Sequence, residues 1–445
     1  MMTGFVALDE VWPRVRQVVA GQATALRSAG ISELWFVRDL TGRVRVLVAE
    51  SSTVAEGADH VRALTRELYD RLGAHAYDPA DAVLSVDSVD LRPLKVSALR
   101  EEVGGISLFL VDRLVTMHDW TTRPVAPAAA ADAPARFTLF SIQGGVGRST
   151  TAMVLALHLA RQGERVLVVD LDLESPGLSG LLLAPEESPT RGMVDWFVED
   201  MVGQGAEIVR DMIGRPRWVQ DLRGDILVVP AYGHPPGEYL AKLGRVYLDG
   251  PRANGEQGPE RWTARLARLL RSLENQARPT VVLLDARCGL HDLGATAVMD
   301  IPAQVLLFGT DAHMSWEAYR ILFEHWNRHQ VVLGIRQRLS AVAALVPPTL
   351  DRDRYLSSFR EHAWDLFREY LYDEVPADAG ADADLFSFDL ADPNGPHNPM
   401  PIYWNDGVAG GSPLRDIEGP AVSGAYSEFL VRVDPLLAAL RGRQP

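Results

Sequence analysis

Residues 137–163 read FTLFSIQGGVGRSTTAMVLALHLARQG. An apolar run enters a turn that contains Gly144, Gly145 and Gly147, and a helical pattern leaves it. No other stretch constrains the fold as much. A buried strand that passes through a tight turn into a helix feeds a crossover, and the strand after such a crossover lies parallel to the first. The glycines let backbone N–H groups converge on an anion, and the helix N-terminus adds its dipole. Val146 sits among the glycines, and Arg148, Ser149 and Thr150 close the turn. The bland alternative is a strand–helix turn with no ligand. The strand before, the helix after and the basic-Ser-Thr ending favour a phosphate loop, with Ser149 placed to ligate Mg²⁺.

The same alternation continues as far as LSAVAALVP. Apolar strands FTLFSI, RVLVVDLD, DILVVPA, TVVLLDA, AQVLLFGT and LSAVAALVP are separated by helical patterns, with a long helical region expected after RVLVVDLD. Strands that are apolar at nearly every position suit a sheet buried on both faces. The expected fold class is α/β: a mostly parallel sheet flanked by helices over residues 137–445, preceded by a small α/β domain over 1–120. Between them TTRPVAPAAAADAPAR, residues 121–136, reads as a semi-extended Ala/Pro-rich linker.

In the N-terminal domain, GISELWFVRDLTGRVRVLVAE predicts two strands around the turn Asp39–Gly42. HVRALTRELYDRLG predicts a helix, and VGGISLFLVDRLV a further strand. No residues there have catalytic spacing. Trp35, Tyr69 and Trp120 are either core aromatics or a binding face, and core is the commoner role. Two stretches interrupt the larger domain. Residues 248–260 form a polar loop. Tyr372–Pro401, the acidic insertion near 372–400, carries seven carboxylates and no lysine or arginine. It is either a solvated insertion or a docking surface for a basic partner.

Composition removes several function classes. With 445 residues, 47% hydrophobic and 23% charged, the chain has ordinary globular composition. No apolar run reaches the roughly 18 residues of a membrane-spanning helix. The first residues lack the basic start, apolar core and cleavage site of a secretory signal. A single cysteine, Cys288, excludes an internal disulfide and a cysteine-cluster metal site. The expected compartment is therefore cytoplasmic. The net charge is −15, with 44 basic against 59 acidic residues and no basic block, so nucleic-acid binding is disfavoured. The only lysines are Lys95 and Lys242, so arginine carries almost all of the positive charge.

The loop Gln143–Thr150 resembles the deviant Walker A motif of the ParA/MinD ATPases, usually KGGVGKTT. VLVVDLDLESPGLSGLL resembles their switch segment, Asp-x-Asp followed by Pro-Gly-Leu, and TVVLLDARCGL resembles their Walker B motif. The three motifs occur in the family's order, over about residues 136–345. The variant KGGVGR branch of the superfamily is closest in form, although Gln143 stands where that branch keeps its first lysine.

The resemblance implies ATP and Mg²⁺ as ligands, bound by Gly144, Gly145, Val146, Gly147, Arg148, Ser149 and Thr150. It implies that Ser149, Asp170 and Asp285 serve the metal and that Asp172 positions the attacking water. Arg148 takes the place of the lysine that contacts the β- and γ-phosphates, with a different shape and reach. Gln143 takes the place of the signature lysine that reaches the partner subunit's phosphates when the dimer closes, and it lacks the charge. Arg287 is one candidate for the missing cation, with a surface ion pair as its alternative role. Cys288 reads as a small buried residue and His158 as packing or surface.

No Asn-Lys-x-Asp follows the late strand, which favours ATP over GTP. Pro399–Trp404 resembles the loop that cups adenine, with Trp404 either stacking there or packing in the core. The last helix carries Phe429, Val433, Leu436, Leu437 and Leu440. It also contains Pro435, and only Arg432, Arg441 and Arg443 are basic, which favours packing on the sheet over membrane binding.

The expected function is a slowly hydrolysing, homodimeric ATP switch acting on a protein partner, either an effector or a regulatory subunit. One alternative is a nucleotide-bound scaffold without turnover, consistent with Gln143. A third is a tyrosine-kinase-like phosphotransferase, whose C-terminal tyrosine cluster is missing here.

Overall fold

The computed structural model describes residues 6–49, 54–86, 98–114, 116–121, 133–219, 222–252, 258–348, 351–375, 385–408 and 419–442. Residues 122–132 of the expected linker, 376–384 of the acidic stretch and Arg443 lie outside them. The chain divides into two compact units, Met1–Arg123 and Pro124–Pro445.

The first unit runs α1 (Leu8–Ser28), β1 (Glu33–Arg38), β2 (Val44–Ala49), α2 (Val54–Leu72), β3 (Val83–Val86), β4 (Leu99–Val103) and β5 (Ile106–Asp112). Its five-stranded sheet has the order β3-β2-β1-β5-β4. The β1–β2 turn is held by Asp39, whose Oδ1 accepts from the N–H groups of Thr41 at 2.8 Å and Arg43 at 3.0 Å. Gly42 supplies the left-handed residue that closes it (φ 84°). The apolar stripes of both helices, including Val15, Val19, Leu64 and Leu68, bury one sheet face, and Leu34, Phe36 and Leu108 meet them. On the other face Trp35 stacks on Phe109 with centroids 4.4 Å apart. Trp35 and Trp120 are buried, whereas Tyr69 is exposed.

The main sheet of the second unit holds seven strands: β6 (Ala135–Ser141), β7 (Arg165–Leu171), β8 (Asp225–Val229), β9 (Val281–Ala286), β10 (Gln304–Gly309), β11 (Leu339–Val346) and β12 (Met400–Tyr403), while Gly250–Pro251 and Pro259–Glu260 pair separately within the polar loop. Their order is β12-β11-β10-β6-β9-β7-β8, and every pairing is parallel. The main helices are α3 (Arg148–Gln162), α4 (Met193–Met201), α5 (Trp262–Ala277), α6 (Asp292–Met299), α7 (His313–Arg328), α8 (Arg352–Tyr370) and α9 (Gly419–Gly442). Side chains on both sheet faces are buried, Phe137 and Leu139 on one, Thr138 and Phe140 on the other. Full burial of each such apolar side chain contributes about 1.5–3 kcal/mol relative to exposure.

Three sequence expectations need correction. The long helical region after β7 is broken. It is reduced to short turns at Leu178–Leu182 and Pro185–Glu187 and to α4 before Gly205, because Pro176, Pro185 and Pro189 and the glycines among them interrupt it. The adenine-loop candidate is partly a strand: Met400–Tyr403 pairs with β11 as the sheet edge, and only the residues after it form a loop. The acidic stretch is not simply solvated. Its described ends are packed by an aromatic group in which Tyr372 meets Phe386, Phe388 and a fully buried His397, while Asp373 pairs with Arg336 at 2.6 Å.

The last helix packs where the sequence placed it. Phe429, Val433 and Leu437 enter the same core as α3, and His158 lies 3.0 Å from Asp434 across that contact. No helix of the described residues is long and apolar enough to cross a membrane.

Candidate functional site

The phosphate-loop residues lie at the carboxyl edge of the sheet, where β6 sits between strands reached by opposite crossovers. Clefts at such switch points are where open α/β sheets bind ligands. Gly145 and Gly147 have φ of 76° and 81°, left-handed values that strain any other residue. Gly147 is the N-cap of α3, so the first N–H groups of that helix point into the loop. Gly144 and Gly145 are exposed.

Parallel pairing in register sets Asp285 of β9 beside Asp170 of β7. Both carboxylates are buried, at 1% and 0% exposure. Burial pushes Asp285 up to about 6, even though Arg148 and a bond from Ser149 oppose the rise. Burial, and then the charge of Asp285, drives Asp170 well above the usual carboxylate range. Ser149 Oγ donates to Asp285 Oδ2 at 2.5 Å. Asp170 Oδ1 accepts from the N–H of Asp172 at 3.1 Å, so it shapes the segment after β7.

Arg148 is buried, and its Nη2 lies 3.5 Å from Asp172 Oδ2. Burial raises Asp172 as well, against the pull of Arg148. Three buried atoms of this group have no hydrogen-bond partner: Nη1 of Arg148, Oδ1 of Asp285 and Oδ2 of Asp170. A buried polar atom left unpaired costs about 1–3 kcal/mol. The site therefore lacks an anion at one point and a cation or donor at another. A phosphate chain carrying a divalent cation supplies both, and the residues present fit that pair. Ser149 and Asp285 would hold the metal, with Asp170 behind them. Among the described residues no three His, Cys, Asp or Glu side chains form a metal cage of their own. Mg²⁺ is commonly held by one or two carboxylates plus substrate phosphates, which needs no such cage.

An open cleft of about 530 Å³ runs from Gly145–Thr150 to a wall of Leu345, Ile402, Tyr403, Trp404, Asn405, Val408 and Tyr426. Trp404 is 43% exposed and is fixed by its Nε1–H to Asp406 at 3.0 Å, so it belongs to the cleft and not to the core. Leu345 adopts a left-handed φ of 54° where β11 bulges. Such strain in a non-glycine residue tends to collect at binding sites.

Gln143 does not sit free at the cleft mouth. Its Oε1 accepts from Ser315 Oγ at 2.7 Å, and Ser315 is buried near the start of α7. Cys288 is half-buried, 3.6 Å from where a side chain on Gly144 would begin.

A polar cluster beside Asp172 was not legible in the sequence. Glu174 pairs with Arg287 and accepts from the hydroxyl of Tyr247, and His291 lies 3.6 Å from it. Tyr239 donates to the carbonyl of Leu173. The two tyrosines come from the stretch between β8 and α5, and no spacing rule connects them to Asp172. The only sequence signal was the position of Glu174, two residues beyond Asp172.

A glycine-rich phosphate loop at the switch point of an all-parallel sheet defines the class: this is a P-loop nucleotide-binding domain. Family comparison matches residues 137–362 to the CobQ/CobB/MinD/ParA nucleotide binding domain, and the chain belongs to that family of P-loop ATPases. It is similar to the chromosome-partitioning ATPase Soj of Thermus thermophilus, with 54% identity over 16% of this chain and 36% of that protein. It is also similar to the iron-sulfur cluster carrier protein of Salmonella typhimurium, with 46% identity over 11% of this chain and 13% of that one. The chain thus spans about a third or less of the length of these curated relatives. Among solved structures, pNOB8 ParA bound to nonspecific DNA aligns at 12% identity and a TM-score of 0.41, over 70% of this chain and all of that one. Cobyrinic acid a,c-diamide synthase from Mycobacterium smegmatis, with an ATP analogue and magnesium, aligns at 20% and 0.35, over 55% and 86%.

Proposed function

We propose that the chain is a Mg²⁺-dependent ATP switch: it binds ATP in the cleft over Gly144–Thr150, hydrolyses it slowly, and signals nucleotide state to a protein partner. The observation that carries this reading is the unpartnered pair across the loop, Arg148 Nη1 and Asp285 Oδ1. Phosphoryl transfer needs positioning and charge stabilisation more than covalent chemistry from the protein. Arg148 leaves Asp172 for the phosphates, and Asp172, freed of that pair, orients the attacking water. The loop N–H groups and the N-terminus of α3 hold the phosphate chain. Bound Mg²⁺ supplies Lewis-acid polarisation of the phosphate oxygens. Trp404, Tyr403 and Asn405 face the base end of the cleft. A homodimer and an effector or regulatory subunit complete the proposal, with the first unit as the adaptor.

A second reading, a nucleotide-bound scaffold without turnover, draws on Gln143, whose amide oxygen is engaged by Ser315 within its own chain. Phosphate release from Mg²⁺–ATP separates the two. The switch requires release above background that vanishes with EDTA, and the scaffold requires none.

Glutamine donates a hydrogen bond but neutralises no charge. Gln143→Lys is therefore expected to increase the ATP-dependent dimer fraction or the turnover rate by several-fold, up to the roughly tenfold that 1.4 kcal/mol represents. Light scattering with a non-hydrolysable ATP analogue and a phosphate-release assay check it on both proteins. If neither quantity changes, position 143 does not face nucleotide across an interface.

A further inference from the structure

Arg287 lies on the turn that packs against the phosphate loop. It follows Asp285 by two residues and precedes Cys288, whose Sγ is 3.6 Å from the position of a Cβ on Gly144. The N–H of Gly289 donates to the carbonyl of Ser141 at 3.0 Å, which fixes this turn to the end of β6. Asp172 is raised by burial and lowered by two cations, first Arg148 and then Arg287. The Arg287 guanidinium is held by Glu174, and both side chains remain partly open to solvent, at 26% and 21%.

These observations meet a deficit. Gln143 brings no charge and is occupied by Ser315. The departing phosphoryl group therefore faces one cation too few from the loop itself. We propose that Arg287 is the second cation of the reaction, supplied by the same chain, and that Glu174 parks it beside the site until the γ-phosphate arrives. The proposal rests on the ATP reading above and adds the residue that makes turnover possible without the signature lysine.

The exchange is favourable in sign. A partly exposed carboxylate–arginine pair contributes little. A guanidinium on a phosphate makes charge-assisted, bidentate bonds, which are stronger. In the step itself the water oxygen forms a bond to the γ-phosphorus. The bond from that phosphorus to the β,γ-bridging oxygen breaks, its electron pair stays with ADP, and the water proton leaves with inorganic phosphate. Negative charge grows on the bridging oxygen, where a guanidinium stabilises it. Tyr247 and His291 keep Glu174 in place when Arg287 departs.

The test uses the full chain with Mg²⁺–ADP and aluminium fluoride, which together mimic the transferring phosphoryl group. Wild type is expected to retain ADP–fluoroaluminate. Arg287→Ala should lose that retention by about a hundredfold or more, given the 10³–10⁵ that a transition-state arginine is worth in phosphoryl transfer. Its affinity for Mg²⁺–ADP alone should stay within a few-fold of wild type. Turnover should fall through kcat, with KM little changed. Arg287→Lys keeps a charge and should recover part of both losses. Glu174→Gln releases the guanidinium and should tighten ADP–fluoroaluminate binding, which keeps the proposal testable if Arg287→Ala does not fold. Equal retention by wild type and Arg287→Ala overturns the role of Arg287 and leaves the nucleotide site standing. So does a wild type that binds ADP but retains no fluoroaluminate. A wild type that binds no Mg²⁺–ADP overturns the nucleotide reading, and this proposal with it.

Discussion

Asp285→Asn is expected to melt at a higher temperature than the wild type and to bind no Mg²⁺–nucleotide. The carboxyl group sits at 1% exposure beside Asp170, and its pKa is pushed up to about 6 from an ordinary 3.8. A carboxylate whose folded pKa is raised stabilises the fold in its protonated form. That contribution is complete below pH 3.8 and is lost as pH rises through 6, so at neutral pH the ionised group works against the fold. Asparagine removes the buried charge and still accepts from Ser149. A gain on the order of 5 °C in the melting temperature follows, using the usual conversion for a domain of this size. The same carboxylate must be ionised to meet a cation. Wild-type Mg²⁺–nucleotide affinity should therefore fall about tenfold for each pH unit below 6 and flatten above 7. Scanning calorimetry and nucleotide titrations across pH 5 to 8 check both halves. A mutant that melts lower, or that binds Mg²⁺–ATP as well as wild type, contradicts the assignment of Asp285.

Asp172→Ala should keep ATP and lose hydrolysis. Asp172 pairs with Arg148 at 3.5 Å and accepts from the N–H of Ser175 at 3.2 Å. Alanine releases Arg148 to the phosphates, so binding is retained or tightened. A positioned carboxylate acting on the attacking water is worth about 10² to 10⁴ in rate, and phosphate release should drop by that factor. The two variants thus separate in opposite directions: Asp285→Asn loses the ligand, and Asp172→Ala loses only the chemistry. Hydrolysis by Asp172→Ala at the wild-type rate contradicts the role given to this residue.

Much of the fold was readable because parallel strands buried on both faces are apolar at nearly every position. VVLLDA and QVLLFG are buried at all six positions, and runs of that kind can be recognised without knowing their partners. Edge strands carry no such signature. β4, LREEV, exposes alternate residues, and Met400–Tyr403 follows a proline, which favours a loop. α1 also went unread, although Val11, Val15, Val18 and Val19 give it a buried stripe. In the site, the loop glycines, Arg148, Ser149, Asp170, Asp172 and Asp285 were visible because they sit at or just beyond strand ends at motif spacing. The register that sets Asp170 beside Asp285, and hence the shared burial that raises both, was not visible. Nor were the bond from Ser315 to Gln143 and the group of Tyr239, Tyr247 and His291 around Glu174. Each joins residues from distant crossovers, and only the assembled sheet brings them together.

Calorimetric titration of the full chain with ATP and with GTP, each with and without Mg²⁺, tests the central claim most directly. One ATP bound per chain, weaker binding of GTP, and a marked loss of ATP affinity when Mg²⁺ is withdrawn are expected. Absence of binding by both nucleotides, or equal binding of the two, would contradict the ATP site proposed over Gly144–Thr150.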